Sequence, residues 1–355
     1  MAERSKMLFG TGIAARDMID LRSDVVTRPT PGMLKFMMQA EVGNDGWRED
    51  PTVNRLEYKV AQLLGKEKAL IVPSGTMANE IAVRLLAHPG SEVIVERTSH
   101  IYNYEVAGPA ALSGVQLLPV KGNSGILSWE DIIPNIRPPF HQFPKTACIS
   151  LECTHNTGGG KIYPLNLIKT ISGNAKEHGI CLHLDGARLF NATAAAGIPP
   201  EEYCKHFDLV NICLSKGLGC PGGSVLAGSE ELIEKAVLVR RQLGGSMRQI
   251  YGYMAGAGLY ALEYHIHRLR EDHRKAAMLA EVIDNSKGLI LLDKPETNIV
   301  LFKSRTKAPE DICQLLMKKG ILIAPYNYPL LRAVTHLDIS LEDIRRVIST
   351  IRQIF

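Results

Sequence analysis

The chain has 355 residues, 45% of them hydrophobic and 22% charged, with 41 Lys+Arg against 37 Asp+Glu. That length suits one large domain plus a smaller one, with the composition of an ordinary globular protein. A net charge of +4 without a clustered basic face argues against nucleic acid and anionic membranes as partners, and no apolar run approaches the ~20 residues of a transmembrane helix.

The densest basic spot, Arg240-Arg241, reads as a solvated helix face. The seven cysteines include no Cys-x-x-Cys pair, and several lie within apolar strands. This argues for reduced thiols in a cytoplasmic protein and against a zinc site; no metal is expected. Met7-Leu8-Phe9 is too short an apolar core for a secretory signal, so residues 1–18 read as an N-terminal arm.

Asp20 to Arg28 reads as extended, stopped by Pro29-Thr30-Pro31. Val53, Leu56, Val60, Leu63 and Leu64 share one helical face. Strands are expected at 69–72, 92–95, 115–119, 147–152, 180–184, 209–214 and 223–227, with helices between several of them. That alternation predicts an α/β fold with a mainly parallel seven-stranded sheet covered by helices on both faces. After Gly244-Gly245 the pattern becomes one long helix from about Met247 to Val282, read as a connector between domains. The remainder holds strand-like 298–302, 321–324 and 331–335, a helix at 309–319 and a final helix from about Leu341. The domains are therefore expected at 19–263 and 264–355, the second a small α+β unit.

Two strand ends carry the chemistry. The run Leu209–Leu214 delivers Ser215 and Lys216 to a glycine-rich turn. A lysine there is costly to desolvate, and burial lowers its pKa toward a nucleophilic amine. On its own it would be an ordinary surface lysine. The run Ile180–Leu184 ends at Asp185, 31 residues before Lys216, with one helix-like segment between. The two thus end neighbouring strands at the edge where open α/β sheets bind ligands. An aspartate that keeps a pyridine nitrogen protonated, beside a lysine that attacks an aldehyde, suits pyridoxal 5'-phosphate. Ser74-Gly75-Thr76 opens a helix, where free amides bind phosphate; alone it is an ordinary N-cap. His100 opens a segment after strand 92–95, where an imidazole can stack on a ring and move protons. Gly217 to Gly222 matches the G-x-G-x-x-G dinucleotide pattern, but it leads into a strand and has no ribose-binding acid downstream. A nicotinamide site is rejected on that ground.

The chain resembles the L-threonine aldolase / L-allo-threonine aldolase family, within the pyridoxal-phosphate-dependent, aspartate-aminotransferase-like superfamily. The resemblance rests on Asp20 to Asp24, Pro73 to Asn79, Ser99-His100, Thr154-His155-Asn156, His183 to Arg188, Leu214 to Leu218, Met247-Arg248-Gln249 and Arg332 to His336, in family order. It implies a fold type I large domain and an aldolase that splits threonine or allo-threonine into glycine and acetaldehyde. It implies Lys216, His100 and Asp185 as catalytic, with Ser74, Gly75, Thr76 and Arg188 on the cofactor. Arg332, Ser23 and Arg188 are implied at the substrate. Arg248 is implied at a neighbouring subunit's phosphate, in a homodimer with shared sites that assembles to a homotetramer.

Three places depart from the family pattern: Cys153 in Glu152-Cys153-Thr154-His155-Asn156, Gly46-Trp47-Arg48, and Gln142-Phe143 with His141 one place early. Threo against allo preference stays open. So does a related lyase or hydroxymethyltransferase acting on other β-substituted amino acids. A non-catalytic binding protein would keep the fold without needing Lys216, Asp185 and Arg332 together.

Overall fold

The computed structural model describes residues 18–355, so the expected N-terminal arm lies, apart from Met18, outside the described residues. The chain divides into two compact units. One is Pro29–His267, and the other joins the chain through Arg28 to Arg268–Phe355. The sequence placed the division at 263/264 and assigned residues 19–28 to the larger part.

The larger unit is built on seven strands: β1 (Lys68–Val72), β2 (Glu92–Glu96), β3 (Gln116–Val120), β4 (Thr146–Glu152), β5 (Cys181–Gly186), β6 (Leu209–Cys213) and β7 (Ser224–Gly228). Their order across the sheet is β1-β7-β6-β5-β4-β2-β3. The pairs β6–β5, β5–β4, β4–β2 and β2–β3 are parallel. Only β7 runs against its neighbours β1 and β6. Every residue of β2, β4, β6 and β7 is buried. That is why these strands read as continuous apolar runs: helices cover both faces. The helices Gly75–Leu86 and Glu230–Gln242 close one face, with Ile81, Ile233 and Ala236 packed in one core with Leu70, Val95 and Leu226.

Local signals set the helix ends. The Asp50 carboxylate accepts from the amides of Thr52 and Val53, Pro51 takes the first position, and Gly65 closes Pro51–Leu64 in a left-handed C-cap. Ser74 caps Gly75–Leu86 by accepting from the Met77 amide at 3.2 Å.

The other unit pairs Ile19–Asp20 with Ile321–Leu322 and holds a four-stranded antiparallel sheet. Its core includes Leu21, Leu279, Val300, Phe302, Ile321, Leu331 and Val347. The Val334 amide donates to the Leu21 carbonyl, and His336 Nε2 stands 2.8 Å from the Asp20 carbonyl. These bonds explain why the segment before Arg28 belongs here. Within it, Asp24–Val26 forms a 3-10 turn where the sequence suggested extended chain. The strand Leu289–Leu291 escaped the sequence reading, being three residues long.

The expected helix from Met247 to Val282 is two helices, Ile250–Tyr264 and Leu269–Asp284, and the units part between them. The first is apolar almost all round and buried on most sides, including Tyr251, Ala255, Ala257 and Leu259. The second buries one stripe, with Leu269, Ala276, Leu279 and Ile283 inward. No proline or glycine marks the break, so periodicity alone ran through it.

Candidate active site

Strand register lines up three polar side chains across the sheet. Glu152 on β4 pairs with Asp185 on β5, and Asp185 with Asn211 on β6. All three are buried near the C-terminal ends of parallel strands, the edge where such sheets bind ligands. Asn79, one turn into the helix Gly75–Leu86, donates to Asp185 Oδ2 at 2.9 Å. The Ala187 amide donates to Asp185 Oδ1 at 3.1 Å. Burial pushes the Asp185 pKa up, but the charges of Lys216 and His100 and the Asn79 hydrogen bond pull it below the ordinary value. Asp185 is thus a buried carboxylate kept ionised. His183, two residues earlier, is the opposite case. Its Nδ1 bonds Ser150 Oγ at 2.9 Å, and burial lowers its pKa to about 4, so it is a neutral packing group.

His100 begins the short helix His100–Asn103. Its amide donates to Glu152 Oε2 at 2.7 Å, and its ring Nδ1 stands 2.8 Å from Glu105 Oε1. Glu152 Oε1 accepts from the Asn156 amide at 2.8 Å, so one carboxylate ties down both loops. The ring of Tyr104 lies 5.4 Å from that of His100. Burial lowers the His100 pKa, but Glu105, Asp185 and Glu152 raise it further, leaving it above the usual imidazole value. Arg188 precedes the helix Leu189–Ala196, is buried, and donates from Nη1 to Asn156 Oδ1 at 3.3 Å.

Ser74, Gly75 and Thr76 sit where β1 meets its helix. The amides of Gly75 and Thr76 have no hydrogen-bond partner among the described residues. A Cβ on Gly75 would lie 2.7 Å from Cys213 Sγ at the end of β6, so only glycine fits there. Lys216 follows β6 in the half-buried turn, where the Gly219 amide donates to its carbonyl at 2.8 Å. Lys216, Asp185, His100 and the Ser74–Thr76 turn therefore belong to one unit.

Ser23 and Arg332 belong to the other. Ser23 Oγ accepts from the Val25 amide at 3.4 Å. Arg332 lies on Leu331–Val334, stacks over the Tyr326 ring at 4.5 Å, and donates from Nη2 to the Arg22 carbonyl at 3.2 Å, beside Ser23. Arg248 stands exposed in the turn before Ile250–Tyr264, with a left-handed φ of 53°.

The signature of the beta-eliminating lyase family matches residues 20–307. The chain belongs to that family, among its threonine aldolases. It is 42% identical over 344 residues to low-specificity L-threonine aldolase 1 of Arabidopsis thaliana, covering 94% of this chain and 96% of the relative. It is 39% identical over 331 residues to the low specificity L-threonine aldolase of Escherichia coli K12, covering 93% and 97%. Among solved structures, a candidate L-allo-threonine aldolase of Listeria monocytogenes superposes with a TM-score of 0.81 at 25% identity, covering 96% and 97% of the two chains. A Leishmania major threonine aldolase at 18% identity shares the fold, with a TM-score of 0.82 over 94% and 99%.

Reading the sequence for single reactive residues missed the groups that hold them: Asn79, Glu105, Glu152 and Asn211. Asn211 had a signal, since an asparagine inside the apolar run 209–214 needs a buried partner. Asn79 had one too, being three residues beyond Thr76 on the same helix.

Proposed function

We propose that the chain is a pyridoxal-phosphate-dependent carbon–carbon lyase that cleaves L-threonine or L-allo-threonine to glycine and acetaldehyde. The observation that carries this is Asp185, buried yet held ionised, with the charge of Lys216 as its strongest counterweight to burial. A buried carboxylate costs too much to keep without a cation or a proton donor to face. The fit to the cofactor is otherwise good. Unpartnered amides wait at Gly75 and Thr76 for phosphate. Ser74 borders the same turn, Lys216 supplies an amine, and the buried Arg188 is proposed for the phenolic oxygen.

When bound, pyridoxal phosphate supplies an electron sink for the pair released from the broken Cα–Cβ bond. Asp185 keeps the pyridine nitrogen protonated, and without that charge the sink weakens. Arg332 and Ser23 are proposed to fix the substrate carboxylate, the guanidinium fork matching two oxygens. His100 is proposed to stack on the ring and to take the β-hydroxyl proton. Borohydride reduction of the holoprotein followed by peptide mapping should tag Lys216. A tag on another lysine, or no glycine from threonine, allo-threonine or phenylserine, overturns the reading.

We further infer a homodimer with shared sites that pairs into a tetramer. Its support is Arg248, exposed on a turn beside Ile250 and Tyr253, two large apolar groups that are also exposed. Mixing inactive Lys216→Ala with Arg248→Ala subunits should restore activity above either parent; hybrids that restore nothing refute it. A cytoplasmic location is proposed on seven free cysteines, five of them buried. Among the described residues no helix is long and apolar enough to cross a membrane.

A further inference from the structure

The loop after His100 carries features that the proposed reaction leaves unexplained. Glu105 is buried, with Oε1 against His100 Nδ1 at 2.8 Å and Asn79 Nδ2 at 2.7 Å. Its Oε2 has no hydrogen-bond partner among the described residues. One polar atom each of His100, Glu105 and Asp185 lie within 4.8 Å of one another. The two residues after Glu105, Val106 and Ala107, both have left-handed backbones, with φ of 53° and 54°. For a β-branched residue that conformation is an outlier, and such strain persists only where the surroundings impose it. Gly108 follows, and a Cβ there would come within 2.0 Å of Glu80 Oε1. Glu80 is buried too, with neither carboxyl oxygen partnered among the described residues. The loop is thus folded tightly over one carboxyl group in order to present another to His100.

We propose that Glu105 is a positioning residue for His100, holding the ring proton on Nδ1 so that Nε2 is the nitrogen that accepts the substrate's β-hydroxyl proton. This rests on the aldolase reading above. A neutral imidazole has one N–H and one lone pair, and a carboxylate acceptor on Nδ1 decides which nitrogen has which. The anion also makes Nε2 a stronger base. Glu80 supports this by staying neutral: burial first, then the charge of Glu105, push it up to about 8. Burial and the charge of Asp185 raise Glu105 as well, against the hydrogen bonds from His100 and Asn79; with Glu80 protonated, the negative charge of the pair rests on Glu105, where His100 uses it. The charged groups facing His100 are Glu105, Asp185 and Glu152, with Lys216 set against Asp185.

The test reads His100 directly in the cofactor-free protein. Diethyl pyrocarbonate modifies neutral imidazole, so the pH dependence of His100 labelling, mapped by peptide mass, gives its titration midpoint. In the wild type the midpoint should lie above the ordinary value of about 6.5. Glu105→Gln keeps an acceptor but removes the charge, and should lower the midpoint by about one pH unit or more. Glu105→Asp should fall between, and serves if the Gln variant folds poorly. Glu80→Gln should leave the midpoint in place. In turnover of threonine, Glu105→Gln should lower kcat roughly 10-fold or more with KM nearly unchanged, and move the acid limb to lower pH. An unchanged midpoint in both Glu105 variants overturns the proposal. So does a loss confined to thermal stability and cofactor retention, which marks Glu105 as packing. A wild-type protein that cleaves no β-hydroxy amino acid defeats the aldolase reading, while the labelling midpoint still decides the Glu105–His100 relationship.

Discussion

Arg240 Nη2 lies 2.7 Å from Asp45 Oδ2, and both side chains are only 1% exposed. This is the residue that the sequence placed on a solvated helix face; only its neighbour Arg241 is exposed. Arg240 Nη1 donates to the Ile71 carbonyl at 2.8 Å, and Glu57 Oε1 accepts from the Ile71 amide at 2.9 Å. Ile71 is on β1, the edge of the sheet, so two buried polar side chains satisfy the edge that β7 does not. The same strand leads directly to Ser74. The Arg240 guanidinium also lies 5.1 Å from the Tyr251 ring, whose hydroxyl donates to the Gly245 carbonyl in the turn of Arg248. One arginine therefore links the Ser74–Thr76 turn to that of Arg248.

Arg240→Ala should be among the most destabilising single changes in this unit. It strands the Asp45 carboxylate and the Ile71 carbonyl in the interior. Removing one partner of a buried pair costs about 3–5 kcal/mol. Urea unfolding of the two proteins measures it. A loss below about 1 kcal/mol would mean that water reaches Asp45 freely.

Asp185→Asn is nearly isosteric: its one oxygen can keep the donors from Ala187 and Asn211, while its amino group replaces the oxygen that accepts from Asn79. It should leave the fold intact and reduce turnover by roughly 100-fold or more, on the scale of a lost electrostatic contribution. The cofactor absorbance should shift with the ring's protonation. Near-normal turnover in a protein still loaded with cofactor would remove Asp185 from the mechanism.

These residues show what sequence can and cannot carry. The seven strands were legible within a residue or two, because each is a short apolar run, with both faces covered except at the edge strand β3. Lys216, Asp185 and the Ser74 turn were legible because each is a polar group at the end of such a run. Arg240 was not: nothing local distinguishes an arginine that meets Asp45, 195 residues away in sequence, from one that meets water. Glu105 was missed for the same reason: its partner Asn79 is brought to it by strand order, which apolar periodicity does not encode.

The protein should lose stability in acid through Glu96. Burial raises the pKa of this carboxyl, but the neighbouring His155 and hydrogen bonds from Thr98 outweigh it and hold it at about 2. His155 Nε2 stands 3.3 Å from Glu96 Oε2 with its side chain fully buried. A carboxyl depressed from its ordinary 4.5 to about 2 contributes stability present above the unfolded pKa and lost as pH falls through the folded one. The amount is on the order of 3 kcal/mol. Glu96→Gln should remove it at neutral pH and flatten the stability curve between pH ~4.5 and ~2. Parallel wild-type and variant curves through that window would disprove the assignment.

Gly75 is where packing and the proposed phosphate contact meet, and the sign of a substitution there decides between two effects. Alanine is the better helix former by about 1 kcal/mol, so propensity alone makes Gly75→Ala stabilising. Sterics point the other way. The new Cβ would lie 2.7 Å from Cys213 Sγ and 3.7 Å from Ser224 Oγ. Cys213 cannot simply turn aside, because Ser224 Oγ lies 3.3 Å from its sulfur and donates to the Ile212 carbonyl at 2.6 Å. The start of the helix must then move, and with it the amides of Gly75 and Thr76. Gly75→Ala should therefore weaken cofactor retention about tenfold or more, since a phosphate contact to helix amides depends on close approach. Cys213→Ala removes the obstructing sulfur and costs only a small cavity. The double variant should recover most of the lost affinity, so the two changes will be strongly non-additive. Dialysis against cofactor, followed by absorbance, measures all four proteins. Additive losses would show that Cys213 is not what keeps residue 75 a glycine.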